Sequence, residues 1–184
     1  RDGFVMGEGA GVLVLESAEG AKARGAEPLA RVLGGASTAD AHHVTAPHPQ
    51  GDGAERAIRA ALEDAGLRPS DINYINAHGT GTELNDQTEG DVIARVFGSH
   101  QPPVSSIKGT TGHALGASGS IEAAVVVEAM RRGELPPNVG LTNQDPSIPL
   151  SDIVTSPRPW VPGAAISNSF GFGGHNTVLV FAPA

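Results

Sequence analysis

Twice in this chain a short, largely apolar run gives way to a loop of glycine and threonine carrying a basic or imidazole side chain, and a helical pattern follows. The run 72–77 (INYINA) leads into His78-Gly79-Thr80-Gly81-Thr82, with a helix expected over about 86–97. The run 103–107 (PVSSI) ends at Lys108 in KGTTGH, ahead of a small-residue helix expected over 114–132. Elsewhere, 4–16 (FVMGEGAGVLVLE) reads as a buried strand, 17–25 as a short helix stopped by Gly25, and 29–36 as another strand. Ala57, Ile58, Ala61, Leu62 and Ala65 fall at helical spacing before Gly66. The chain closes with 164–169, the turn FGFGG and a strand over 177–181. Strands alternating with helices define an α/β layered fold, in which ligands collect where strands end and helices begin. No repeat or linker interrupts the pattern, so residues 1–184 read as one unit without an internal domain boundary.

Composition narrows the chemistry. Lys plus Arg number 12 against 20 Asp plus Glu, a formal charge of −8 without basic clusters, which argues against nucleic-acid binding. No apolar run approaches the ~18 residues of a membrane-spanning helix. Cysteine is absent, which removes disulfides, thiolate metal sites and a cysteine nucleophile carried by this chain. The sequence opens at Arg1 inside a folded pattern, with no charged-then-apolar leader, and reads as a partial or cleaved product of a cytoplasmic protein.

His78, Lys108 and His113 occupy comparable loop positions, and neutral imidazoles whose N–H groups converge on one oxygen stabilise an enolate or oxyanion. Other readings of the loops are weaker. GTTGHALGASG and GEGAG lack the order of a phosphate-binding loop. His42, His43 and His48 lie in a proline-rich stretch without a carboxylate or thiolate at ligand spacing, so they read as solvated and no metal site is expected.

The stretches RDGFVMGEGAGVLVLE, DINYINAHGTGTELNDQTE, VSSIKGTTGHALGASGSIEA, LPPNVGLTNQDP and SNSFGFGGHNTVLVF, in this order, resemble the C-terminal half of the β-ketoacyl-acyl-carrier-protein synthases. These are condensing enzymes of thiolase fold, and the likeness is to the type II fatty-acid and polyketide group. The resemblance implies a layered αβαβα architecture, of which this chain holds the C-terminal half and the last strand of the N-terminal half. It implies that His78 and His113 bind the thioester carbonyl of a malonyl donor and stabilise the enolate formed on decarboxylation. Lys108 matches a lysine behind the second histidine, and Glu122 the buried carboxylate paired with it. Asp86 and Glu89 match a supporting acidic pair, although Asp86 has the alternative of capping its helix. Thr80 and Thr82 match threonines that bond a phosphopantetheine arm. Phe172 matches a gatekeeping aromatic whose backbone N–H completes an oxyanion hole. Phe170 lies beside it as a core or substrate-contact residue.

The family's nucleophile is a cysteine upstream of RDGF, so the resemblance implies a partner: an N-terminal half carrying that cysteine. It also implies an acyl carrier protein that delivers the phosphopantetheine arm, no other cofactor, and a homodimer or ketosynthase heterodimer. The alternative is a non-catalytic chain-length-factor-like subunit that shapes a product tunnel. A thiolase or hydroxymethylglutaryl synthase relative fits poorly, because thiolases need a second cysteine near the C-terminus.

Overall fold

The computed structural model describes residues 2–184. Its centre is a mixed five-stranded sheet in the order β1-β7-β6-β2-β3. The strands are β1 (Ala30–Ala39), β2 (Ile72–Asn76), β3 (Val104–Ser105), β6 (Ala164–Gly171) and β7 (His175–Pro183). β2 runs parallel to both β3 and β6, whereas β7 is antiparallel to β6 and β1. A two-residue pair, β4 (Glu134–Leu135) with β5 (Arg158–Pro159), stands apart from it.

Helices cover both faces. On one side lie α2 (Asp52–Asp64) and α3 (Glu83–Phe97), whose Ala57, Ile58, Ala61, Val92 and Ile93 pack against Ile72, Ile75 and Ile166. On the other lies α5 (Ser118–Arg132), where Ala123, Val126 and Met130 meet Tyr74 and Phe181. The fold is therefore the α/β layered class expected from the alternation of elements.

Local chemistry explains the boundaries. The short α1 (Ala18–Ala23) begins where the Ser17 hydroxyl accepts from the Gly20 N–H and ends before Gly25, whose φ is +70°. α3 starts earlier than the apolar spacing predicts, because Thr82 is its N-cap and accepts from the Asn85 N–H. Asp86 is therefore inside the first turn and does not cap the helix. After the single turn α4 (Lys108–Thr111), the predicted helix over 114–132 is broken at its start. Residues Leu115–Ala117 form a 3₁₀ turn, Leu115 has φ +50°, and α5 begins only at Ser118. Gly116 thus lies outside the helix.

The expected strand over 4–16 does not form. The segment runs extended across the loop after α4 and the start of α5, making one bridge, Met6 to His113. Glycines permit this approach: a Cβ on Gly7 would stand 2.2 Å from the Thr111 carbonyl oxygen, and one on Gly11 would stand 2.8 Å from Ser120 and Ile121. Leu13 turns inward onto the α5 core, while Val12 and Val14 are 88% and 90% exposed. Among the described residues no strand lies beside this segment, so only part of its apolar run is buried.

Candidate active site

Three parallel features end at one edge of the sheet. The loop after β2 carries His78, the turn after β3 carries Lys108, and the β6–β7 turn carries Phe172. With His113 they surround a cleft of about 820 Å³, except Lys108, which lies behind it.

The rings of His78 and His113 lie 5.5 Å apart at 83° to one another. Lys108 Nζ stands 3.4 Å from His78 Nδ1 and donates to the His78 carbonyl oxygen at 2.6 Å. The lysine implied to stand behind the second histidine is therefore behind the first. The reason is topological: β2 and β3 are adjacent parallel strands, so the residues just beyond their ends meet. Lys108 also bonds Glu122, and this ion pair is buried almost completely.

His113 has a different set of neighbours. Its Nδ1 receives the Leu115 N–H at 3.2 Å and lies 3.0 Å from Ser118 Oγ. Its backbone exchanges bonds with the extended segment, accepting from Gly7 and donating to Val5, and Phe4 packs against its ring at 5.2 Å. In both histidines Nδ1 faces protein donors, which leaves Nε2 as the protonated nitrogen toward the cleft. Burial, Lys108 and His113 hold His78 well below the usual imidazole pKa, and burial and Lys108 lower His113. Burial pushes Glu122 up to about 7, against the downward pull of Lys108.

Glu89 is buried under the His78 loop. Its carboxylate accepts from the backbone N–H groups of His78 and Gly79, both at 2.9 Å, and from Asn168 Nδ2 at 3.0 Å. Burial raises its pKa while those donors oppose the rise. Asp86 accepts from the Gly81 N–H, so the two carboxylates together fix the backbone of residues 78–81. The Thr80 and Thr82 hydroxyls lie 2.9 Å apart at the cleft wall, and Thr82 also caps α3. Phe170 packs partly on the core and lies 5.7 Å from the His78 ring. Phe172 sits at the cleft margin, 64% exposed, on a turn whose Gly173 and Gly174 have φ of +84° and +76°. That turn is held by the loop after β1: Gly173 donates to the Val44 carbonyl, and Asp40 donates its N–H to the Gly174 carbonyl.

Four residues of this site were not singled out from the sequence. Ser106 donates to the Gly79 carbonyl and accepts from the Lys108 N–H, tying the two loops together. Asn168 holds Glu89 from 79 residues away, and Leu115 and Ser118 hold His113. A serine two places ahead of Lys108 is the one signal of these contacts that the sequence carries. The other contacts depend on the sheet order and on the kink at Leu115.

Two imidazoles with lowered pKa that line one cleft, backed by a buried lysine–glutamate pair, form an arrangement able to hold negative charge on an oxygen. Residues 29–142 match the family description "Beta-ketoacyl synthase, C-terminal domain". The chain belongs to the β-ketoacyl synthase family. It is 51% identical over 183 residues to the 3-oxoacyl-[acyl-carrier-protein] synthase 2 of Synechocystis sp., covering 98% of this chain and 44% of that relative. Its fold is similar to that of the ishigamide ketosynthase/chain length factor, with a TM-score of 0.95 and 41% identity over 100% of this chain and 45% of the other. It is also similar to a chain in a type II polyketide acyl-carrier protein–ketosynthase complex, with a TM-score of 0.88 and 35% identity over 92% and 42% of the two chains. The chain thus spans less than half the length of these relatives.

Proposed function

We propose that this chain is the C-terminal part of a β-ketoacyl-acyl-carrier-protein synthase that performs decarboxylative Claisen condensation in fatty-acid or polyketide synthesis. The observation that carries the reading is the pair of neutral histidines, each with Nδ1 engaged by protein donors and Nε2–H left for a substrate oxygen. An N-terminal half supplies the cysteine that holds the acyl group as a thioester. When a malonyl thioester enters, its carbonyl oxygen accepts from His78 and His113. The bond to the carboxylate breaks, carbon dioxide leaves, and the electron pair forms an enolate on that oxygen. The enolate carbon then attacks the acyl carbonyl, and the cysteine leaves as thiolate.

Thr80 and Thr82 supply hydroxyls along the cleft for the phosphopantetheine arm, and Phe172, exposed at the cleft margin, gates its entry. The arm comes with an acyl carrier protein; a structural relative is described as a ketosynthase in complex with its carrier protein. A dimeric, cytoplasmic enzyme completes the reading. Among the described residues no helix is long and apolar enough to cross a membrane. The chain-length-factor alternative draws on a relative described as a ketosynthase/chain length factor, but a subunit without chemistry has no use for two imidazoles held neutral.

The test is carbon dioxide release from malonyl-carrier protein by the complete protein. His78→Ala and His113→Ala are each expected to slow it about 10²–10³-fold, the usual effect of deleting one oxyanion donor. Wild-type release by His78→Ala would overturn the proposal.

A further inference from the structure

α5 begins with an irregularity. Its N-cap is Ala117, which has no side chain to cap with, and a serine, the residue suited to that position, stands one place later. Ser118 is 7% exposed, and its hydroxyl is directed to His113 Nδ1 at 3.0 Å. Leu115 adopts φ +50°, a conformation unfavourable for a branched side chain, and its N–H reaches the same nitrogen. A helix start that forgoes its cap and a residue in the left-handed region both converge on one atom.

The two donors differ in kind. A backbone N–H only donates, so it supports Nδ1 while that nitrogen carries a lone pair and opposes it once protonated. A hydroxyl rotates and serves as donor or acceptor. We propose that Ser118 is a positioning residue that gives His113 a hydrogen-bond partner in both protonation states, donating to Nδ1 of the neutral ring and accepting Nδ1–H of the imidazolium. His78 has no such partner: Lys108 Nζ faces its Nδ1. The histidines are therefore unequal, His78 a fixed N–H donor and His113 the one able to take up and return a proton. The titratable groups facing His113 are Lys108 of α4, with its partner Glu122 of α5, and His78 after β2. The extended segment contributes the uncharged Phe4 ring. None of these offers Nδ1–H an acceptor.

What His113 does in catalysis rests on the proposed condensation; what holds its ring does not. The test is a pH titration of the complete protein labelled at histidine ¹³Cε1, for wild type, Ser118→Ala, Ser118→Gly and Ser118→Thr. In Ala and Gly the His113 midpoint is expected to fall by about one pH unit, the scale of one lost bond to a charged group. Thr is expected to restore it, and the His78 resonance to stay in place, reporting an intact site. An unchanged His113 midpoint in Ala and Gly overturns the proposal. A shifted midpoint in a protein that releases no carbon dioxide keeps it and removes the condensation reading instead.

Discussion

At the scale of single residues the site depends on the placement of one buried ion pair. Lys108 and Glu122 compensate one another in a region from which water is excluded, and the desolvation of either alone is expensive. Lys108→Met leaves Glu122 without its cation, and a loss of about 3–5 kcal/mol is the usual result of breaking such a pair. The carboxyl has an escape, since it can take a proton. Its folded pKa, already raised to about 7 with the lysine present, rises further without it. A carboxyl whose folded pKa exceeds its unfolded value contributes stability that is present at low pH and lost as pH rises through the folded value. The deficit of Lys108→Met in urea unfolding is therefore expected to grow between pH 6 and pH 8, and Lys108→Met/Glu122→Gln is expected to flatten that dependence. A deficit that shrinks with pH over this window contradicts the pairing. His78, Lys108 and His113 stand out in the sequence because all three occupy comparable glycine–threonine loops at strand-to-helix junctions, where a single histidine would read as structural. Ser118 and Leu115 do not, because the 3₁₀ turn that brings them to Nδ1 follows from a leucine with positive φ, and no residue type announces that.

At the scale of elements, glycines separate positions that need only backbone freedom from positions that also need space. Gly51, ahead of α2, and Gly66, after it, have nearly equal φ of +66° and +67°. A Cβ on Gly66 would meet nothing within 4 Å, whereas one on Gly51 would lie 2.4 Å from Val92 Cγ2 and 2.9 Å from Thr88 Cγ2. Gly66→Ala is expected to lower stability by about 1 kcal/mol, the backbone term alone. Gly51→Ala adds overpacking of the buried Val92 and is expected to lose about 2–5 kcal/mol. Urea midpoints compare them, and equal losses would mean that α2 and α3 give way freely. The helices themselves were readable: the stripe Ala57, Ile58, Ala61, Leu62 is buried as its spacing predicts. β4 and β5 were not, since two residues each at a separation of over twenty carry no local pattern. The segment 4–16 misleads in an instructive way. Its apolar run is that of a buried strand, and Leu13 does pack inward, but a strand also needs a neighbour to pair with.

At the scale of the whole molecule, the two core clusters close around the sheet while one apolar strip remains uncovered. Val5, Met6, Val12, Val14 and Leu15 are all exposed on the segment that also braces His113 through Val5, Gly7 and Phe4. Exposed apolar residues gathered on one segment mark a contact surface, and the unbroken run Val12-Leu13-Val14-Leu15 is that of a strand buried on both faces. Under the proposed function, the missing neighbour is the N-terminal half, so association and the geometry of His113 are coupled through one segment. Expressed apart from that half, this chain is expected to bind a hydrophobic dye, and addition of the half to suppress the signal and form a complex visible by native mass spectrometry. Because ligand binding to the folded form stabilises it by mass action, a partner at about 100 times its Kd adds about 2.7 kcal/mol. Val12→Glu/Val14→Glu points two charges outward without touching Leu13 or either core. That variant is expected to stay folded, bind little dye and lose the complex. If instead it associates with unchanged affinity, the halves meet elsewhere and the strip serves another purpose.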